Sequence, residues 1–323
     1  MTTPSLLIVH QGALGDLVCI FPVIRALRRR FHPVSILCQG HLGKLAAAEN
    51  LADAWFPIEA AWTASLFSGE ANRQAARLLA PYSHSLVFSR SEALAASLKH
   101  IAGARVCSVP PRPPAGRRVH IAEHTLHCIQ ECGWLPEFKD AILKATPSHD
   151  SAAAPGEGEA SKTVLIHPGA GSPRKRWPLP GFLELTAQIN ARQLKPAFVI
   201  GPVEQDLLPE LERHGATLHL TGDSLKLLAL LRSAAAYIGN DSGVSHLAAW
   251  VGLPCVVIFG PSDPVRWRPW GGRVEIVQPT LECTPCFEIA AANCAAADCL
   301  AAIHPDDVMQ AFQRVAHLAE CPI

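Results

Sequence analysis

The 323-residue chain carries 28 Lys and Arg against 28 Asp and Glu, and 49% of its residues are hydrophobic. This balance argues against a general nucleic-acid binder, which shows a basic excess, and the length supplies apolar material for two cores rather than one. Eleven cysteines, an odd number in a chain without the basic and then long apolar pattern of an export signal, are not a disulfide framework. The expectation is a cytosolic protein with mostly reduced thiols.

Short runs rich in Val, Ile and Leu predict strands over 5–10, 35–39, 85–89 and 105–109 in a first half. A second set falls over 163–167, 197–201, 217–221, 236–240, 255–260 and 275–278. Helical patterns follow most of them. After the first strand, Leu17, Ile20, Phe21, Ile24, Leu27 and Phe31 recur at helical spacing, with Arg25, Arg28, Arg29 and Arg30 mostly opposite. Apolar strands alternating with amphipathic helices predict α/β architecture with parallel sheets covered on both faces. Residues 146–162, rich in Pro, Ser, Ala, Gly and charge, read as linker. The expected domains are therefore 1–150 and 163–323, with 151–162 between them and a closing helix over 305–318 that Asp306 and Asp307 cap. The apolar stretch 244–259 is interrupted by Ser245, His246, Gly252 and Pro254, which suits a buried helix and strand better than a membrane span. Two similar α/β units predict a ligand cleft at the carboxyl ends of their strands.

Three constellations carry chemistry. The first is Gly12-Ala13-Leu14-Gly15-Asp16. Its glycines permit a tight turn and close approach to a ligand. Only two glycines occur, and the second strand ends in Gln39-Gly40-His41 rather than an acid, so nicotinamide binding is disfavoured. Asp16 opens a helix, where capping and general-base catalysis are both open on spacing alone. The second is His167-Pro168-Gly169-Ala170-Gly171-Ser172-Pro173-Arg174-Lys175-Arg176-Trp177-Pro178. Backbone N–H groups with a lysine suit a departing diphosphate, on which negative charge grows; the plainer alternative is a solvated basic turn. The third is Gly239-Asn240-Asp241-Ser242-Gly243-Val244-Ser245-His246, a strand end capping an apolar helix whose N-terminus is an anion site. His246 is either structural or a phosphate contact. The turn Phe259-Gly260-Pro261-Ser262-Asp263-Pro264 could line the same cleft.

Together these motifs resemble the ADP-heptose:lipopolysaccharide heptosyltransferases, glycosyltransferase family 9, over nearly the whole chain. The resemblance rests on Gly12–Asp16 (G-x-x-G-D), on H-P-G-A-G…K-R-W-P from His167, on G-N-D-S-G-x-x-H from Gly239, and on F-G-P-S-D-P-x-x-W-x-P from Phe259. It implies a GT-B fold of two Rossmann-like domains, the first facing the acceptor and the second holding the nucleotide sugar. It further implies inverting transfer of L-glycero-D-manno-heptose from ADP to a lipopolysaccharide core-type acceptor without a metal cofactor. The family's catalytic base matches Asp16, with Gly12 and Gly15 in the acceptor-side loop. Its donor-binding positions match Gly171, Ser172, Lys175, Asp241, Ser242, Gly243 and His246, and Glu204 lies where the family places a ribose-binding acid. The chain departs from the pattern at Ala170-Gly171, where members with heptose transfer often carry hydroxyl side chains. The implied partners are a nucleotide-sugar donor and a lipid-linked oligosaccharide at the inner membrane surface, with no nucleic acid. Alternatives are a same-fold sugar-nucleotide epimerase or hydrolase and a non-catalytic nucleotide-sugar binder.

Two further clusters invite a metal. Cys283, Cys286, Cys294 and Cys299 form C-x2-C-x7-C-x4-C, which could hold structural zinc or be plain reduced thiols. His120, His124 and His127 share a helix face and read as a surface stripe rather than a metal site. Arg112, Arg117 and Arg118 could face an anionic lipid or phosphorylated acceptor, or simply be solvated.

Overall fold

The computed structural model describes residues 3–69, 71–114, 117–135, 161–279, 285–287 and 298–316. The chain divides into two compact units, residues 1–145 and 146–323. Most of the expected linker lies outside the described residues.

The first unit holds a five-stranded sheet in the order β3-β2-β1-β4-β5, every pairing parallel. Its strands are β1 (Leu6–His10), β2 (Val34–Cys38), β3 (Ala54–Pro57), β4 (His84–Phe88) and β5 (Arg105–Ser108). Every residue of β1 and β2 is buried, as parallel strands covered on both faces require. Leu7, Val9, Leu37, Val87, Leu94 and Leu98 belong to one core cluster. The edge strand β3 lies outside the predicted set. Its four residues, Ala-Trp-Phe-Pro, are apolar but include no Val, Ile or Leu and end in Pro57, so the run lacks the β-branched signature of the other strands and suits only an edge.

The first predicted helix is two. Leu14–Cys19 stops at Ile20, which leaves helical geometry at ψ 2°, and Phe21–Leu27 begins anew with Pro22 near its start. Proline has no N–H to give to the preceding turn but suits a first helical turn, so the restart falls there. The apolar stripe nevertheless stays on one side: Leu17, Ile20, Phe21, Ile24 and Leu27 are all buried.

The second unit has six parallel strands in the order β11-β10-β9-β6-β7-β8. They are β6 (Thr163–His167), β7 (Lys195–Ile200), β8 (Leu218–Leu220), β9 (Ala236–Asn240), β10 (Cys255–Ile258) and β11 (Val274–Val277). Counted within the unit, this is the doubly wound order 3-2-1-4-5-6. The helix Pro305–Ala316 packs Val308, Phe312 and Val315 into the same core cluster as Ile166, Phe182 and Ile258. Its first-turn acid Asp307 accepts the His304 N–H at 3.3 Å.

In both sheets the chain leaves the middle strand in one direction and later returns on the other side. The reversals lie between β1 and β4 and between β6 and β9. Loops leaving the carboxyl ends of neighbouring strands diverge at such a point and open a crevice. The loops there carry Gly12–Asp16, His167–Lys175 and Asp241–Ser242. Among the described residues no helix is long and apolar enough to cross a membrane.

Candidate active site

In the first unit β1 delivers His10, and the chain turns through Gln11, Gly12 and Ala13 into the helix Leu14–Cys19. Asp16 occupies the third helical position, and its Oδ2 accepts the Ala13 N–H at 3.0 Å. The carboxylate therefore does cap the turn, while its residue remains exposed. One backbone hydrogen bond orients it and leaves its other lone pairs available. Gly12 is required by close approach. A Cβ there would lie 2.7 Å from Asp16 Cβ, 2.8 Å from its Oδ2 and 2.8 Å from His10 Cε1. Asp16, His10, Gln11, Phe88 and Arg112 line a cavity of about 260 Å³. His10 is 4% exposed and its ring meets Phe88 edge-on at 5.2 Å. Burial pushes its pKa down to about 4, only partly offset by the charge of Asp16, so the ring is neutral at physiological pH.

The second unit assembles a denser site. From β6 the chain runs through Pro168–Ser172 into a tight turn at Pro173–Lys175. The Lys175 Nζ reaches Asp241 Oδ2 at 2.8 Å, with Asp241 buried and Lys175 only 18% exposed. The Nζ also sits 4.8 Å from the Phe287 ring centroid. Cys286 and Phe287 are held there by their N–H groups, both donating to Pro261 O at 2.9 and 3.0 Å. Because Asp241 neutralises Lys175, an incoming anion must draw on further donors. Two sources are at hand: the Arg174 guanidinium, 5.9 Å from the same ring, and the helix Gly243–Trp250. Ser242 caps that helix by accepting the Ser245 N–H. Among the described residues the Gly243 and Val244 N–H groups meet no acceptor, which leaves them open to an anion, as helix N-termini commonly are. His246 is buried within the helix, its N–H bonded to Ser242 O, and the structure gives it a packed position.

Beneath the loop lies Glu204, 3% exposed, whose Oε2 accepts the Gly201 N–H at 2.9 Å. It is shielded rather than solvated, and a Cβ at Gly169 would overlap its carboxyl. Burial raises its pKa despite the Gly201 hydrogen bond. His167 Nε2 lies 3.8 Å from Glu204 Oε1, and burial drives the His167 pKa down to about 3. The contact is therefore between a neutral imidazole and a shielded carboxyl, not an ion pair. His167 Nδ1 meets Ser242 Oγ at 3.3 Å, linking the first strand of the unit to the helix cap.

Several residues outside the expected set hold this arrangement. Asn240, fully buried, donates from Nδ2 to Pro168 O at 2.8 Å and Gly169 O at 3.3 Å, and accepts the Trp177 N–H at 3.0 Å. Arg176 bonds Asp206 Oδ2 and Val203 O, both at 2.8 Å, tying the loop to the Glu204 turn. The Trp177 indole N–H reaches Ile303 O at 3.1 Å, and its ring packs edge-on to Phe182. Gly171 is exposed with nothing within 4 Å of a Cβ built there, so it is an open rim position.

The histidine stripe is corrected. His120 and His124 are 4% and 5% exposed, and only His127 reaches solvent, where it meets Glu131 at 3.3 Å. His120 instead caps the helix Ile121–Glu131 by accepting the Ala122 N–H, and His124 packs near Cys128 with its pKa lowered by burial. Of the zinc candidates, Cys283 and Cys294 lie outside the described residues. Cys286 accepts from Arg174 Nη2 at 3.6 Å, and Cys299 is buried at the helix Asp298–Ala301. Among the described residues no group of three or more His, Cys, Asp or Glu is placed to hold a metal ion.

Two α/β units, each built on a parallel sheet that reverses direction beside its first strand, are the architecture of the GT-B class of fold. The chain belongs to glycosyltransferase family 9 (heptosyltransferase), whose profile matches residues 131–296. It is 34% identical over 161 residues to lipopolysaccharide heptosyltransferase 3 of Escherichia coli (strain K12), a match covering 47% of each chain. The chain thus matches about half the length of such curated relatives, or less. The fold is similar to the glycosyl transferase family 9 structure from Veillonella parvula DSM 2008, with TM-score 0.76, 16% identity and 99% of both chains covered. It is also similar to E. coli heptosyltransferase WaaC with ADP, with TM-score 0.69, 14% identity, and 96% of this chain and 99% of that one covered.

Proposed function

We propose that this protein transfers a heptose, with inversion at the anomeric carbon, from an ADP-linked donor to a lipopolysaccharide core-type acceptor. The observation that carries the reading is the Lys175–Asp241 pair set beside the unpaired N–H groups that open the helix Gly243–Trp250. Family membership and the relatives' heptosyltransferase names supply the sugar.

In this reading Lys175, the loop amides and the helix N-terminus bind the diphosphate, and Glu204 serves the ribose. Gly171 and Ser172 line the rim of that site, and the packing of His246 keeps Ser242 and Gly243 in register. Asp16 takes the proton from the acceptor hydroxyl as its oxygen attacks the anomeric carbon. The bond from that carbon to the β-phosphate oxygen breaks on the opposite face, and the electron pair leaves with ADP. Donors preset where charge develops stabilise the departing diphosphate. The reaction needs no metal for this, because Lys175, Arg174 and backbone amides supply the positive field. The acceptor is a lipid-linked oligosaccharide, for which Arg112 beside Asp16 is a contact for an anionic substituent. The protein works as a peripheral enzyme at the cytoplasmic side of the inner membrane.

The test is thermal stabilisation by ADP, UDP, GDP, CMP and NAD at saturation, since a ligand that binds only the folded state raises the melting temperature. A selective shift with ADP supports the reading. A shift with UDP or GDP alone retains the fold and chemistry but replaces the donor, and a shift with NAD alone overturns the site assignment.

A further inference from the structure

The buried amide of Asn240 has a defined orientation. The Trp177 N–H needs an acceptor and the Pro168 and Gly169 carbonyls need a donor, so Oδ1 faces Trp177 and Nδ2 faces the loop. In a planar trans peptide the carbonyl and the next N–H point to opposite sides. Pulling the Pro168 and Gly169 carbonyls onto Asn240 therefore turns the Gly169 and Ala170 N–H groups away from it. Both residues are buried, yet among the described residues neither N–H meets an acceptor. Buried unpaired N–H groups are rare and costly, and two in succession form a concavity for an anion.

We propose that Asn240 is a positioning residue: by holding two loop carbonyls it aims the Gly169 and Ala170 amides as a nest for the diphosphate of the nucleotide sugar. This rests on the donor-site reading above and assigns it a residue that touches no ligand. Asn240 also precedes Asp241 in the chain, so one strand end sets both the amide nest and the partner of Lys175. Replacing Nδ2 by a carboxylate oxygen sets an anion against two carbonyl oxygens, and the loop must turn.

The test uses the intact chain with three probes: pyrophosphate, ADP and adenosine. Calorimetry on Asn240→Asp is expected to show pyrophosphate and ADP weakened by roughly tenfold to a hundredfold, as for a lost set of charge-assisted hydrogen bonds, with adenosine nearly unchanged. An equal loss for adenosine, or unchanged pyrophosphate affinity, overturns the proposal. Should that variant not fold, hydrogen exchange on the wild type decides instead. Pyrophosphate must slow exchange at Gly169 and Ala170, and exchange unmoved at saturation refutes the nest. Wild-type protein that binds neither pyrophosphate nor ADP refutes it as well. Wild-type protein that binds pyrophosphate but not ADP keeps the nest and removes the nucleotide reading.

Discussion

The two units present opposite kinds of site. Around Lys175 the polar side chains are already engaged: Asp241, Asn240, Ser242, Glu204 and Arg176 each have short protein partners. Around Asp16 the structure is sparse, with one hydrogen bond on an exposed carboxylate beside a cavity and a buried neutral imidazole. A constant chemical group such as a diphosphate rewards a site built in advance, because little ordering remains to be done when it binds. A general base instead needs a free lone pair and room for the acceptor, so it tolerates little protein around it.

The contrast breaks most sharply at Asp16. Asp16→Asn keeps the Ala13 hydrogen bond but cannot take a proton, so turnover should fall by roughly 100-fold to 10,000-fold. ADP affinity should hold, and a steady-state assay with ADP titration checks both; a variant keeping most of its turnover removes the base. Lys175→Ala should do the reverse in kind, weakening ADP binding and costing about 3 kcal/mol of stability, because it leaves Asp241 buried and unpaired. Adding Asp241→Asn should return much of the stability in denaturant titrations but none of the ADP affinity.

Acid probes the buried imidazoles. The folded His10 pKa of about 4 lies below the ordinary value of 6.5, so the unfolded chain binds more protons between them. Its contribution is present above pH 6.5 and is lost as pH falls towards 4, in total about 3 kcal/mol. His10→Gln should flatten the loss of stability measured from pH 7 to pH 4. Gly12→Ala should push the Asp16 carboxyl aside and cut turnover by about tenfold, a displacement effect of the kind that follows small misplacements of a catalytic group. The smallest change belongs to Gly171→Ala: with open space around it and no positive φ, stability should move by less than about 0.5 kcal/mol.

The sheets were legible because buried parallel strands write continuous apolar runs, as in Leu6–Val9 and Val164–Ile166. The half-exposed β3, Ala54–Pro57, is apolar but holds no Val, Ile or Leu and ends in proline, and it escaped. The break at Ile20 was less visible because the apolar stripe continues across it, although Pro22 was a signal. His120 and His124 misled because helical spacing places residues on one face without saying whether that face is covered. In the second unit the motif spacing singled out the loop His167–Lys175 and the helix start at Asp241–Gly243. Their pairing was not legible, since Lys175 and Asp241 are 66 residues apart, and Asn240 looked only like the end of a strand. Its role exists only once two neighbouring strand ends are brought together.

The Trp177 indole carries a consequence for inheritance of phenotype. Its hydrogen bond to Ile303 O makes the pitch of the loop His167–Lys175 depend on a turn 126 residues downstream. In a saturation library, substitutions that shift the backbone around Ile303 should therefore be scored as donor-affinity variants, clustering with changes in the loop itself. A designer altering the turn at Ile303 would be retuning the loop before Trp177 from a distance.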